Sequence, residues 1–126
     1  MSTEITLFTE GNVTSPKGYL AGAAYAGIKT YAQNKMDVGI LLSESQCVSA
    51  GIYTTNKFVS PSVELTRKNI NKGNVKGIFV SSGIANAGVG AQGMIDARES
   101  LTHAAAHISV NPDELAIGTT GVIGVE

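Results

Sequence analysis

Residues Thr119 to Gly124 read TTGVIG, a run of hydroxyls and small side chains directly after the strand-like segment Leu115 to Gly118. A turn of this composition presents hydroxyl and backbone N–H donors with little side-chain bulk around them, which is what a developing oxyanion requires. It contains no nucleophile paired with a base. Such a turn stabilises charge in chemistry whose attacking group comes from elsewhere, so the sequence reads as one part of an enzyme.

Other residues with chemical potential are weaker. Gly88, Gly90 and Gly93 spell GxGxxG ahead of a helical segment, the spacing of a dinucleotide fingerprint. In that fingerprint the first glycine makes the tight strand-to-helix turn, but here Ser81 to Ala87 intervene, and Asp113 and Glu114 precede the next strand where the ribose-binding acid should close one. The loop is read as permitting close backbone packing. His103 and His107 share a helical face at the i, i+4 spacing of zinc ligands. No Glu adjoins His103 as in HExxH and no cysteine is near, so a solvated or partly buried helix face is expected. Cys47, the single cysteine, has no neighbouring His or cation to lower its pKa and reads as an inert, buried thiol. Ser81, Ser82, Asn86, Thr54, Thr55 and Asn56 fall where strands give way to loops, and could be turn formers or ligand contacts. Lys17 needs no role beyond an exposed lysine before a strand.

The elements that must position these residues form a single α/β unit over 1–126. A net charge of −1 with 15% charged residues argues against nucleic acid as a partner and for a small molecule or a protein surface. One cysteine excludes an intrachain disulfide and suits a reducing, cytoplasmic setting. Met1 to Gly11 lacks a basic n-region and an apolar h-region, so neither a signal nor a transit peptide is expected, and no apolar run reaches membrane-spanning length. No cofactor or metal enters this reading.

Along the chain, the Ala- and Gly-rich Tyr19 to Ile28 reads as a strand in close contact with another backbone. Asp37 to Leu42 and Val48 to Thr54 read as two strands of a hairpin around Ser43 to Gln46. A short helix after Pro61 is expected to place Val63, Leu65 and Ile70 on one face, with Gly73 as its left-handed cap. Val75 to Val80 reads as a buried strand. The spacing of Met94, Leu101, Ala105 and Ile108 predicts an amphipathic helix from about Ala91 to His107, ended by Asn111 and Pro112. Leu115 to Gly118 is the last strand, with TTGVIG leaving it as a turn.

Four segments in order, SPKGYLAGAAYAGIK (Ser15 to Lys29), AGIYTTN (Ala50 to Asn56), VSSGIANAGVGAQG (Val80 to Gly93, followed by Asp96 to Arg98) and GTTGVIG (Gly118 to Gly124), resemble the N-terminal part of the ornithine acetyltransferases, or glutamate N-acetyltransferases, of arginine biosynthesis. The resemblance runs from Val13 onward. The family loop usually reads closer to NSGNANAC, so it assigns no fixed role to Ser81, Ile84 or Gly88.

The resemblance implies the layered sheet-and-helix fold of these self-cleaving enzymes. A precursor cuts itself before a threonine, and the new N-terminal Thr of the β chain is the nucleophile; that threonine and its motif are not in this sequence, which reads as a truncated α-chain portion, inactive alone. The implied reaction moves acetyl from N2-acetyl-L-ornithine to L-glutamate through a threonyl acyl-enzyme. The family's oxyanion donors align with the Thr120 hydroxyl and the Gly121 N–H. The implied partners are the β chain, in a hetero-oligomer, and the two amino-acid substrates, with use of acetyl-coenzyme A left open. A non-catalytic module that keeps the fold, and a nucleotide-binding loop at Gly88 to Gly93, are the competing readings.

Overall fold

The computed structural model describes residues 5, 7–28 and 34–125; the start of the N-terminal segment, Lys29 and Glu126 lie outside them. Four strands, β1 (Tyr19–Ala24), β2 (Val38–Ser43), β3 (Gly77–Ile84) and β4 (Leu115–Val122), form one sheet in sequence order. β1 pairs antiparallel with β2, β2 antiparallel with β3, and β3 parallel with β4. Two helices, α1 (Pro61–Asn71) and α2 (Gln92–His107), complete the α/β unit. Among the described residues no helix is long and apolar enough to cross a membrane.

The β3–α2–β4 crossover brings the long helix back over the sheet, as joining parallel strands requires. Leu101, 1% exposed, meets Leu115, Ile117 and Leu65 with Ala97, Ala104 and Ala105, while Ile40, Phe79, Met94 and Ile108 pack around them. The expected α2 stripe is therefore the core. Alternation along β4 sends Leu115, Ile117 and Thr119 toward the helices, and Ala116, Gly118 and Thr120 to the opposite face.

Helix α1 departs from the expected packing. Its buried residues are Ser62, Leu65 and Asn69, with Val63 and Ile70 only half-buried. The reason is its neighbour. α1 lies against the outer edge of β4, whose backbone groups have no further strand to pair with among the described residues, and a polar helix face satisfies them. Thr66 Oγ1 accepts from the Ile117 N–H at 2.9 Å and donates to the Ile117 carbonyl at 2.9 Å. Asn69 Nδ2 donates to the Leu115 carbonyl at 2.9 Å and the Pro112 carbonyl at 3.2 Å. The helix ends at Asn71, and just beyond it Gly73 takes the expected left-handed conformation, with a φ of +81° and its N–H donating to the Ile70 carbonyl.

Three strand expectations are corrected. The segment Val75 to Val80 is not a buried strand: β3 begins at Gly77, and Ile78 and Val80, in register with Ala116 and Gly118 on the face away from the helices, are each 42% exposed. Val48 to Thr54 is not a strand of this sheet. β2 already has β1 on one side and β3 on the other, so no edge is left for a hairpin partner. The segment Tyr19 to Ile28 is a strand only to Ala24, and each β1 residue is exposed. Beyond it, buried Asp37 gathers the chain. Its carboxylate accepts from the Ala26 N–H at 2.6 Å and the Ile28 N–H at 2.8 Å.

A polar clasp holds the beginnings of β3 and β4. In the turn Pro112–Glu114, Glu114 Oε2 accepts from the Asn111 N–H at 2.8 Å, while Oε1 lies 3.0 Å from Lys76 Nζ. The Asn111 backbone hydrogen bond, then the bond and charge of Lys76, hold the Glu114 carboxyl below its ordinary pKa.

Candidate functional site

The TTGVIG run is not a turn. Thr119 to Val122 continue β4, each paired in register with β3 from Ser81 to Ile84, and the bend comes only at Ile123 and Gly124. The parallel neighbour explains the correction, because its hydrogen-bond ladder carries the segment in extended form. The association persists past the strands, with the Ala85 N–H donating to the Val122 carbonyl and the Gly124 N–H to the Ala87 carbonyl, both at 2.8 Å.

Thr119 and Thr120 part company on this strand. Thr119 Oγ1 donates to the Ala85 carbonyl at 2.7 Å, so at 2.8 Å it accepts from Ser62 Oγ, which is 2% exposed. Its hydroxyl is consumed by the helix side of the sheet. Thr120 is exposed, and its hydroxyl has no partner among the described residues. Beside it, in register on the same open face, stands half-buried Ser82. Here the sheet brings together two hydroxyl residues that were 38 positions apart in sequence.

Gly121 follows, with φ +137°, directly across from Gly83, with φ +140°. A Cβ on Gly121 would lie 2.1 Å from the Gly83 carbonyl oxygen and 2.7 Å from the Ile84 nitrogen. Glycine is demanded here by the adjacent strand as well as by its backbone angle. The result is an exposed, side-chain-free step in the backbone immediately after the Thr120 hydroxyl, where two donors of different chemical type can sit side by side.

The remaining sequence candidates are distributed elsewhere. Asn86, buried with φ +47°, donates from Nδ2 to the Gly93 carbonyl at 2.8 Å. A Cβ on Gly93 would stand 2.4 Å from Asn86 Oδ1 and 3.0 Å from Pro61 Cγ, so the last glycine of GxGxxG serves the close packing of α2 against its preceding loop. Thr54 and Asn56 form local turns, accepting from the Asn56 and Phe58 N–H groups. His103 and His107 are exposed, joined through His107 Nδ1 and the His103 carbonyl at 2.9 Å. Among the described residues there is no group of three His, Cys, Asp or Glu side chains placed to hold a metal. Lys17 is exposed, and half-buried Cys47 directs Sγ to the Ser45 carbonyl at 3.6 Å. Sequence reasoning missed Ser62, whose only signal was a hydroxyl in the first turn of a helix.

The ArgJ family profile matches residues 20–126, nearly the whole chain. This chain belongs to the ArgJ family. It is 43% identical to the arginine biosynthesis bifunctional protein ArgJ of Dehalococcoides mccartyi over 98% of its own length and 31% of that protein's. With the ArgJ of Symbiobacterium thermophilum it shares 42% identity over 91% of its length and 29% of the relative's. The chain thus spans about 30% of the length of these curated ArgJ relatives. Its fold matches the crystal structure of ArgJ from Bacillus halodurans with a TM-score of 0.83 at 34% identity, covering 91% of this chain and 59% of that one. It also matches ornithine acetyltransferase from Mycobacterium tuberculosis, solved as a complex with ornithine, with a TM-score of 0.84 at 29% identity, covering 90% and 61%.

Proposed function

We propose that this chain forms part of an acetyltransferase that moves the acetyl group of N2-acetyl-L-ornithine to L-glutamate, and that Thr120 and Gly121 supply its oxyanion donors. The observation that carries the reading is the division of labour at Thr119 and Thr120. One hydroxyl is spent on the fold. The other is exposed and unspent, next to a glycine whose backbone carries no side chain to shield it.

A threonine nucleophile in the remaining portion of the polypeptide attacks the acetyl carbonyl, its proton passing to its own α-amino group. The carbonyl oxygen becomes an oxyanion, which the Thr120 O–H and the Gly121 N–H stabilise. Collapse expels ornithine, whose leaving nitrogen takes up the proton, and leaves an acetyl-threonine ester. The glutamate amine then attacks that ester through a second oxyanion in the same donors; collapse breaks the acetyl–Oγ bond, the amine's proton passes through the α-amino group to the threonine oxygen, and N-acetylglutamate departs. Donors aimed at charge that exists only in the transition state lower the barrier without tightening substrate binding. The membership of the chain in the ArgJ family and the name of its ornithine-bound structural relative support the choice of substrates.

The test is steady-state kinetics of Thr120→Ala in the full-length enzyme. A fall in kcat of roughly 10² to 10³ with little change in KM is expected, the usual effect of removing one oxyanion donor. Unchanged kcat would remove Thr120 from the chemistry. The 126-residue chain alone should not turn over, and co-expression with the portion carrying the threonine should restore activity.

A further inference from the structure

The segment between β2 and α1 has the composition and side-chain alternation of a strand but, among the described residues, no strand to pair with. Cys47, Ser49 and Tyr53 turn inward and are half-buried, whereas Val48, Ala50, Ile52 and Thr54 turn outward and are exposed. The inward residues pin it. Ser49 Oγ donates to the Val75 carbonyl at 2.6 Å, and the Tyr53 ring lies 4.9 Å from the Arg67 guanidinium carbon. Of the outward residues, Val48 and Ile52 are each 104% exposed. Among the described residues, none from 45 to 59 makes a backbone–backbone hydrogen bond.

This contrasts with the β4 edge of the sheet. The outer edge of β4 is closed by Thr66 and Asn69 of α1, while residues 47–54 hold no charge and no proline that would keep another strand away. We infer that residues 47–54 are a strand that pairs with a β-strand from the part of the ArgJ polypeptide outside the matched span, with Val48 and Ile52 packed against apolar side chains of that portion. More than two thirds of the Dehalococcoides relative's length lies outside that span, and the solved Bacillus halodurans chain also extends well beyond it. A tethered strand of the same polypeptide meets this edge at an effective concentration on the order of millimolar, which favours it over a second copy. Main-chain bonds supply the affinity of such an added strand, and the alternate apolar side chains set its register.

The inference rests on family membership and not on the assignment of the oxyanion donors, so its test reads exchange and not turnover. Hydrogen–deuterium exchange resolved by residue in the full-length polypeptide should show alternate amides between 47 and 54 slowed at least about 100-fold relative to that at Lys57, independent of protein concentration. Ile52→Asp should release that protection while β3 and β4 stay protected; should this variant unfold throughout, the wild-type exchange pattern decides. Fast exchange along the whole segment in the wild type would overturn the inference. So would protection that vanishes on dilution, which would place a second copy on this edge.

Discussion

Ser62 and Thr119, 57 residues apart, share a hydrogen bond of 2.8 Å that ties the first turn of α1 to β4 one residue before the exposed Thr120. Because the Ala85 carbonyl takes the Thr119 proton, Ser62 must be the donor, and the three groups form a one-way chain. The chain sets which threonine faces inward.

Thr119→Ala should therefore act on stability. It leaves the Ser62 hydroxyl and the Ala85 carbonyl without their partner, which costs about 1–3 kcal/mol for buried polar groups. Urea unfolding should show the loss, and kcat of the full-length enzyme should change far less than in Thr120→Ala. A large kcat defect with unaltered stability would reverse the roles of the two hydroxyls.

Gly121→Ala should be poorly tolerated for a reason separate from catalysis. The new Cβ would fall 2.1 Å from the Gly83 carbonyl oxygen, so β3 and β4 must separate at their paired ends. A destabilisation of at least about 1–3 kcal/mol is expected from the overpacking alone, checked by denaturant titration. An alanine variant of native stability would show that the strands can part here without cost.

Leu101→Ala should cost about 2–5 kcal/mol, the range for emptying a buried leucine site. Leu101 is 1% exposed at the centre of the cluster joining α2 to β4. A shift within about 0.5 kcal/mol, usual for surface positions, would contradict the packing of α2 on the sheet.

The Glu114 carboxyl is held below its ordinary pKa by the Asn111 N–H and Lys76. Its contribution is therefore present above the unfolded-state value, about 4.3, and is lost as pH falls through the lower folded-state value. Glu114→Gln should be less stable than the wild type at neutral pH, and the difference should shrink progressively below about pH 4. Parallel stability curves across that range would show that the carboxylate adds nothing in its charged form.

Much of the fold was legible in the residues themselves. The 3.6-residue spacing of Met94, Leu101, Ala105 and Ile108 was sufficient to place α2 and its buried face, because burial along an amphipathic helix follows local periodicity. The family resemblance likewise rested on four ordered motifs and agreed with the profile match and the two solved folds. What periodicity could not reveal was which edges meet. An apolar run such as Val48 to Thr54 carries strand propensity without saying whether a neighbour has a free ladder to offer, and β2 had none. Nor does the TTGVIG composition distinguish a turn from a strand end, since the parallel pairing with Ser81 to Ile84 that keeps it extended joins segments far apart in the chain. The polar face of α1 was hidden for the same reason. Nothing in the sequence singled out Ser62, Thr66 and Asn69; the tertiary structure lays them along the outer backbone of β4, where unpaired N–H and carbonyl groups make a polar side chain the stable one to bury.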